Sequence, residues 1–537
     1  MKVLGIQATV YEGIMPYSDG FRVFPWGFAS VLTRLERDGH RITVLDAYGE
    51  NLTRAEVQQR LDLLDFDCVL ITAFASMNYA YVEWLSGELR KRSSAPIIVG
   101  GLLAELHNDL LLLHGVADFC VIGDGEETAS ELLRNLACPE GVDGIAFQRR
   151  EVLIRTRPRI AVRNLDELEM PRFELFQLAP YLQSPMAVHS PTARFDEYPL
   201  RNPVKLTDLS PTFAIFAGKG CPFRCEFCSR SSDSVRLKSV DRIMEEIATL
   251  KKRYGIRTVQ FKDELLILNK NRTRQLCEAL RKEDIFWECQ SRVDTVDHDT
   301  LKMMADANCI SVGLGVESGS NRMLRLMNKG ISRRQIVSVL RAAREVGIHV
   351  RLQLMCGFPG ETSESMDETA TLFAEVGIPP RPLSWCTPLP GSTLYADLRQ
   401  KGAIGHELQY VRRLAQGTNK PGRVILNASG LEDSEMAKLY DRTHLRSEAS
   451  YIGYLARTPK NWTSAHFWSV LCRYLVALEV YQSDGNMASP PVCSRMRAMA
   501  ISTCSRIARL LARSNENPVD ASVLRQRHSV RQVLFAK

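Results

Sequence analysis

Between residues 211 and 400, apolar runs alternate with amphipathic stretches six times, and each apolar run ends in polar or glycine-rich residues. This rhythm predicts strands over 213–217, 258–262, 286–290, 310–316, 350–355 and 383–387, with helices over 240–254, 272–281, 298–306, 333–346 and 363–375 between them. Strand–helix repeats of this length build parallel sheets, and six of them make a partial barrel whose chemistry sits on the loops after the strands. Those loops carry Cys221, Cys225 and Cys228, then Asp263 and Glu264, Ser291 and Arg292, Glu317 and Ser318, Gly357 to Glu361, and Pro388 to Gly391. Any one of them could be a helix cap or a turn. Six at successive strand ends favour one shared site.

The first loop is the most specific. Cys221-Pro222-Phe223-Arg224-Cys225-Glu226-Phe227-Cys228 places three thiols within eight residues. Soft thiolates at this spacing select an iron–sulfur cluster, zinc or copper(I). No fourth cysteine lies nearby in sequence, so the sharper reading is a four-iron four-sulfur cluster with one iron open to a small molecule. Zinc with a His or a distant Cys as fourth ligand is the competing reading. Simple core packing fits poorly, because the loop is rich in Arg, Glu and Ser.

Residues 1–150 show a second strand–helix rhythm, with strands expected over 3–8, 41–45, 68–72, 96–99 and 119–122 and helices over 26–37, 54–64, 81–92 and 126–136. This is the pattern of a doubly wound parallel sheet, which binds ligands beyond its strand C-termini. The loops there are 72–78 with Ser76, Gly100-Gly101, and Gly123-Asp124-Gly125-Glu126. Glycines in such loops let backbone approach a ligand closely, and they also serve ordinary turns. Residues 151–210 lose the rhythm and read as a connector; residues 401–537 read as helical, ending in a basic tail.

The 537 residues carry a net charge of +7, and 24% of them are charged. Residues 485–537 hold nine Lys or Arg against Glu516 and Asp520, which accounts for the whole excess. Without interleaved aromatics such a tail argues against nucleic-acid binding. No apolar stretch approaches the roughly 20 residues of a bilayer span, and the first strand is too short for a signal-peptide core. Fourteen scattered cysteines do not form a disulfide framework. A cytoplasmic chain without a membrane span is the expectation.

Cys-x3-Cys-x2-Cys opening a six-unit partial barrel resembles the radical S-adenosylmethionine (radical SAM) superfamily. Phe261 to Glu264, Ser291 to Asp294, Gly313 to Gly319 and Gly357 to Glu361 resemble the branch whose barrel follows a cobalamin-binding domain. The resemblance implies an α/β fold: a Rossmann-like cobalamin-binding domain (1–150), a connector (151–210), a partial (β/α)6 TIM-like barrel (211–400) and a helical C-terminal region (401–537). It implies three cofactors, a 4Fe-4S cluster on Cys221, Cys225 and Cys228, S-adenosylmethionine and cobalamin. It also implies that Asp263 and Glu264 receive the ammonium of S-adenosylmethionine, Arg292 its carboxylate, Glu317 the ribose or ammonium, and Met355 to Gly357 the adenine. Cobalamin would meet Ser76, Gly100, Gly101, Gly123, Gly125 and Glu126. The chain departs from classical cobalamin proteins in lacking Asp-x-His-x-x-Gly after the first strand, with no histidine before His40. That excludes a histidine ligand below cobalt from this loop.

The activity so implied is a C-methyltransferase: S-adenosylmethionine is cleaved reductively to a 5'-deoxyadenosyl radical, and methylcobalamin methylates an unactivated carbon of a specialised metabolite. Its partners are a small-molecule substrate, free or carrier-bound, and an external electron donor such as flavodoxin or ferredoxin. The alternatives are cyclisation or rearrangement with the same cofactors, transfer-RNA methylthiolation, and a non-catalytic cobalamin- or metal-binding regulator. The helical region after 400 disfavours the RNA reading. Residues acting directly in the chemistry, and the substrate, are not legible.

Overall fold

The computed structural model describes residues 1–9, 22–182, 206–230, 232, 234–415, 424–457 and, in one further helical stretch, 467, 470, 471, 474, 475 and 478. The basic tail, the 183–205 part of the expected connector and most of the 465–481 helix lie outside these residues.

The first sheet contains β1 (Lys2–Gln7), β2 (Arg41–Asp46), β3 (Cys68–Thr72), β4 (Ile97–Gly100), β5 (Phe119–Val121), β6 (Ile145–Arg149) and β7 (Val152–Arg155). Its order is β2-β1-β3-β4-β5-β6-β7. The first five strands are parallel, with Gly5 level with Val44 and Leu70. The last two return as an antiparallel hairpin that the sequence rhythm did not reveal. Strands covered on both faces read as continuous apolar runs, as in the buried Val3 to Ile6 and Cys68 to Ile71. The helices Trp26–Arg37, Arg54–Leu61, Tyr79–Arg90 and Gly125–Arg134 form where the pattern placed them. A helix not anticipated, Leu102–Leu113, starts at Gly101.

After β8 (Thr212–Ile215), the two short strands β9 (Gly218–Lys219) and β10 (Arg236–Leu237) pair with each other. Then follow β11 (Thr258–Phe261), β12 (Phe286–Arg292), β13 (Cys309–Glu317), β14 (His349–Cys356) and β15 (Ser384–Trp385). Apart from the β9–β10 pair, these strands form a parallel sheet in sequential order, β8-β11-β12-β13-β14-β15, curled into part of a barrel. Local signals set its helices. Ser239 caps Val240–Tyr254, which stops at left-handed Gly255; Ser332 and Gln335 form a capping box for Arg333–Val346, which stops at Gly347.

Apolar residues of both sheets merge into one core. Phe24 and Trp26 of the first unit pack on Phe213 of β8, and Phe173 and Phe176 of the expected connector fill the same volume. Each such buried aromatic contributes roughly 1.5–3 kcal/mol of burial energy, so the described part of the connector is structural rather than a tether. Beyond the barrel, the helix Glu407–Leu414 returns to the first sheet, burying Leu408 and Val411 in that sheet's second core, and Arg412 bonds Glu83 at 2.6 Å. The long helix Asp433–Ala456 lies on Ser363–Thr371 and Phe373–Val376.

Candidate cofactor site at the cysteine loop

The three cysteines occupy a loop whose ends are the paired strands β9 and β10. The Cys221 N–H donates to the Ser232 carbonyl at 3.1 Å, closing the loop near its base. On its other side the Glu226 N–H donates to the Met327 carbonyl at 3.0 Å, and Asn328 Nδ2 to the Arg224 carbonyl at 2.9 Å. Cys225 is buried, while Cys221 and Cys228 are half-buried; all three are free thiols. Burial raises both Cys221 and Cys228, and the neighbouring cysteines and Glu264 add to it, bringing Cys228 up to about 11. All three thiols stand on one eight-residue loop, and as thiolates they need positive charge beside them. That donor set fits a cluster, since iron deprotonates and neutralises its ligands.

Arg292, at the end of β12, reaches into this loop. Its Nη1 donates to Cys225 Sγ at 3.3 Å, its fork grips Asp294 at 2.8 and 2.9 Å, and its guanidinium lies 3.7 Å over the Phe223 ring. It also donates to the Lys329 carbonyl. Arg292 therefore faces the cysteines, and its carboxylate partner here is Asp294. Glu317 is likewise engaged: its left-handed backbone (φ +64°) aims the carboxylate at Lys329 Nζ, 2.8 Å away, and both side chains are under 10% exposed. A Cβ on Gly315 would come within 2.8 Å of both ends of that pair, so glycine there makes its room.

The two acids after β11 diverge. Asp263 is buried, and its Oδ2 accepts the Ala217 N–H at 3.0 Å, holding the strand end that leads into the cysteine loop. Burial pushes its carboxyl up to about 6 against that backbone donor. The structure thus turns Asp263 inward, whereas Glu264 is exposed and near enough for its charge to help raise Cys221 and Cys228. At the end of β14, Met355 packs with Phe227 and Phe358, and Gly357 (φ +81°) sits 3.3 Å from Trp385 of β15 by its would-be Cβ. Gln260, Glu288 and Ser311 are buried polar residues level with one another on β11, β12 and β13, and Arg351 of β14 joins them. Arg351 donates to Ser311 Oγ at 3.1 Å and Gln260 to Glu288 at 3.1 Å; burial, then the charge of Arg351, holds the Lys262 ammonium down to about 7.

The C-terminal rim of the first sheet brings together most of the expected cobalamin residues. Gly101 (φ +80°) could carry no side chain, since its Cβ would stand 2.7 Å from the Ala73 carbonyl. Phe74 beside it is 75% exposed, an apolar ring presented at the rim. These features fit a flat corrin. Gly100 and Gly123 are open; Gly125 instead fits closely against Val31 of the helix Trp26–Arg37, and Glu126 is buried. Ser76 is buried too, its hydroxyl 2.8 Å from His107 Nε2. His107 sits at a kink in Leu102–Leu113, with burial holding it down to about 4 and its Nδ1 without a partner. Neither His107 nor Lys329 carries a sequence signal, because each finds its partner only through the fold.

Rim and cysteine loop meet. A Cβ on Gly391, after β15, would stand 2.8 Å from Leu106 of the rim helix and 2.9 Å from the hydroxyl of Ser229, the residue after Cys228. The family model of the radical SAM superfamily matches residues 215–373, and that of the B12 binding domain matches residues 18–133. The chain belongs to the cobalamin-binding radical SAM enzymes. Enzymes of this class use a 4Fe-4S cluster, S-adenosylmethionine and cobalamin.

Its relatives span two chemistries. An uncharacterised methyltransferase of Pyrococcus horikoshii is 28% identical over 69% of this chain and 77% of its own length. The cytidylyl-2-hydroxyethylphosphonate methyltransferase of Streptomyces wedmorensis is 22% identical over 81% and 86%. The anaerobic magnesium-protoporphyrin IX monomethyl ester cyclase of Cereibacter sphaeroides is 23% identical over 66% and 57%. Among solved structures, the radical SAM methyltransferase TsrM of Kitasatospora setae, with cobalamin and a 4Fe-4S cluster bound, shares the fold of this cobalamin-binding radical SAM chain. Its TM-score is 0.58 at 17% identity, covering 75% of this chain and 76% of TsrM. Among the described residues no helix is long and apolar enough to cross a membrane.

Proposed function

We propose that the chain is a C-methyltransferase acting on an unactivated carbon of a small specialised metabolite, free or carrier-bound. The observation that carries this reading is the meeting of rim and cysteine loop across Gly391, which stands against Leu106 on one side and Ser229 on the other. Bound there, the cluster with S-adenosylmethionine supplies hydrogen abstraction, and cobalamin supplies the methyl group. Cys221, Cys225 and Cys228 would hold the cluster through their sulfurs. Arg292 orients Cys225 by its hydrogen bond, and the Asp294 fork keeps that guanidinium in place. Glu264, exposed at the end of β11 where its charge reaches the cysteines, receives the ammonium of S-adenosylmethionine. Asp263 contributes by fixing the loop through Ala217. Glu317 and Lys329 form the neighbouring wall, and the turn at Gly357 beside Met355 brings backbone to the adenine.

On the other side, Gly100, Gly101 and Gly123 admit the corrin, with Phe74 against it, while Ser76, Gly125 and Glu126 support the rim from within. An external one-electron donor such as flavodoxin or ferredoxin reduces the cluster. Anaerobic incubation with methyl-deuterated S-adenosylmethionine tests the reading: a product carrying the label supports it, and an unlabelled product sinks it. Cyclisation is the second reading, favoured by the match to the Cereibacter sphaeroides cyclase; it gives the unlabelled product with 5'-deoxyadenosine still formed.

A further inference from the structure

Asp124 lies in the glycine-flanked loop after β5, on the rim of the first sheet, yet its side chain leaves that sheet. Its Oδ1 is 3.0 Å from Lys219 Nζ on β9, and Arg236 on β10 grips both oxygens, with Nη2 3.3 Å from Oδ1. The Val162 N–H donates to Oδ2 at 3.0 Å, and Arg236 Nη1 donates to the Val162 carbonyl at 2.8 Å. Lys219 and Arg236 face each other in the β9–β10 register. One carboxylate from the cobalamin-type sheet thus joins both ends of the cysteine loop, for every residue between Lys219 and Arg236 belongs to that loop.

Two features make the joint stiff. Asp124 is 10% and Arg236 12% exposed, so solvent screens the pair little. The strand pair itself leaves no slack: a Cβ on Gly218 would stand 2.6 Å from the Leu237 side chain, and one on Gly220 would overlap the Ser234 carbonyl. Cys221 follows Gly220 directly, and its N–H is anchored at Ser232 in the same loop. Glu105 of the rim helix lies in the field of both Asp124 and Lys219 and adds a second acid facing the same cation.

We propose that Asp124 is a positioning residue that sets the distance between the cluster and cobalamin, locking the cysteine loop to the corrin-binding rim. This rests on the cofactor assignment above and extends it to geometry: each cofactor keeps its own site, and Asp124 fixes how far apart the two stand. The reaction needs both at one substrate carbon, where a displacement of an ångström is costly.

The test uses the anaerobically reconstituted holoenzyme and its Asp124→Asn, Arg236→Gln, Asp124→Arg, Arg236→Asp and Asp124→Arg/Arg236→Asp variants. Iron and corrinoid are counted, and the spin–spin distance between reduced cluster and cob(II)alamin is measured by pulsed EPR. The expectation for Asp124→Asn and Arg236→Gln is unchanged cofactor content with a longer, broader distance distribution. Amide exchange over residues 218–237 should rise by about tenfold or more. The charge exchange Asp124→Arg/Arg236→Asp should recover the native distance that each charge reversal alone loses, which a merely structural role does not require. Loss of corrinoid in Asp124→Asn would make Asp124 a cobalamin contact and overturn the proposal. Unchanged distances in both neutral variants, or no recovery on exchange, would also overturn it. Absence of iron or corrinoid in the unsubstituted protein would instead fail the cofactor reading.

Discussion

Arg292 combines tasks that a shorter cation could not. Its planar fork takes Asp294 with two nitrogens, leaves Nη1 for the Cys225 sulfur and lays its face on Phe223. A hydrogen bond to a cluster sulfur favours the more negative, reduced state. Replacing Arg292 with Leu should therefore lower the cluster's reduction potential, on the order of 50 mV given about 1.5–3 kcal/mol for a charge-assisted bond that is partly retained in the oxidised state. A redox titration followed by EPR, on protein of matched iron content, measures it; an unchanged potential would remove Arg292 from the cluster's environment. The cysteines were legible because they sit close together in sequence. The sequence placed Arg292 at a strand end but not its direction: the expected partner was a ligand carboxylate, and the fold supplies Asp294 two residues away. Asp263 shows the same limit, since nothing in a strand-end acid says whether it faces the ligand or the Ala217 backbone.

At the scale of elements, two helices with a serine cap and a closing glycine were legible to the residue. Val240–Tyr254 and Arg333–Val346 begin at Ser239 and Ser332 and end at Gly255 and Gly347. Leu102–Leu113 was missed for the opposite reason: its N-cap is Gly101, with no side-chain acceptor, and its Leu-rich run shows no clear polar face. The β6–β7 hairpin was missed because Arg150 and Glu151 take the left-handed turn positions, at φ +49° and +65°, where Asn-Gly would have announced it. Gly101 shows what the rim demands of one position. Its φ of +80° and its 2.7 Å approach to the Ala73 carbonyl leave no place for a methyl group. Gly101→Ala should cost about 1–3 kcal/mol and shift the start of Leu102–Leu113. Thermal unfolding of the apo-protein and its corrinoid content after reconstitution should both fall. A variant with native stability and full corrinoid loading would show that the rim tolerates a side chain there.

Across the described residues, a segment that reads as a connector helps to join the two sheets. Phe173, Phe176 and Tyr181 all lie between the two sheets' sequences, and all end in the core shared by Phe24 and Phe213. Sequence rhythm cannot show this, because short 3-10 turns around isolated aromatics have no period. Tyr181 adds a polar tie: its hydroxyl donates to Asp46 Oδ2 at 2.6 Å at the end of β2, while the Gly49 N–H donates to Oδ1 at 2.7 Å. Burial pushes the Asp46 carboxyl from 3.8 up to about 6, against the pull of those two donors. Burial and the charge of Asp46 raise the Tyr181 phenol, which stays protonated and remains the donor. Because the folded value for Asp46 exceeds the unfolded one, the folded chain binds the extra proton between about pH 4 and pH 6. Its contribution to stability is complete below pH 4 and is lost as pH rises through 6, by about 3 kcal/mol from a shift of about two units. Asp46→Asn keeps an acceptor for Tyr181 and cannot ionise. Denaturant unfolding of both proteins across pH 4 to 7 should show the native chain losing stability relative to Asp46→Asn through this window and running parallel to it above pH 7. A constant difference across the whole range would place the burial cost elsewhere and leave the tie between connector and first sheet without its titrating group.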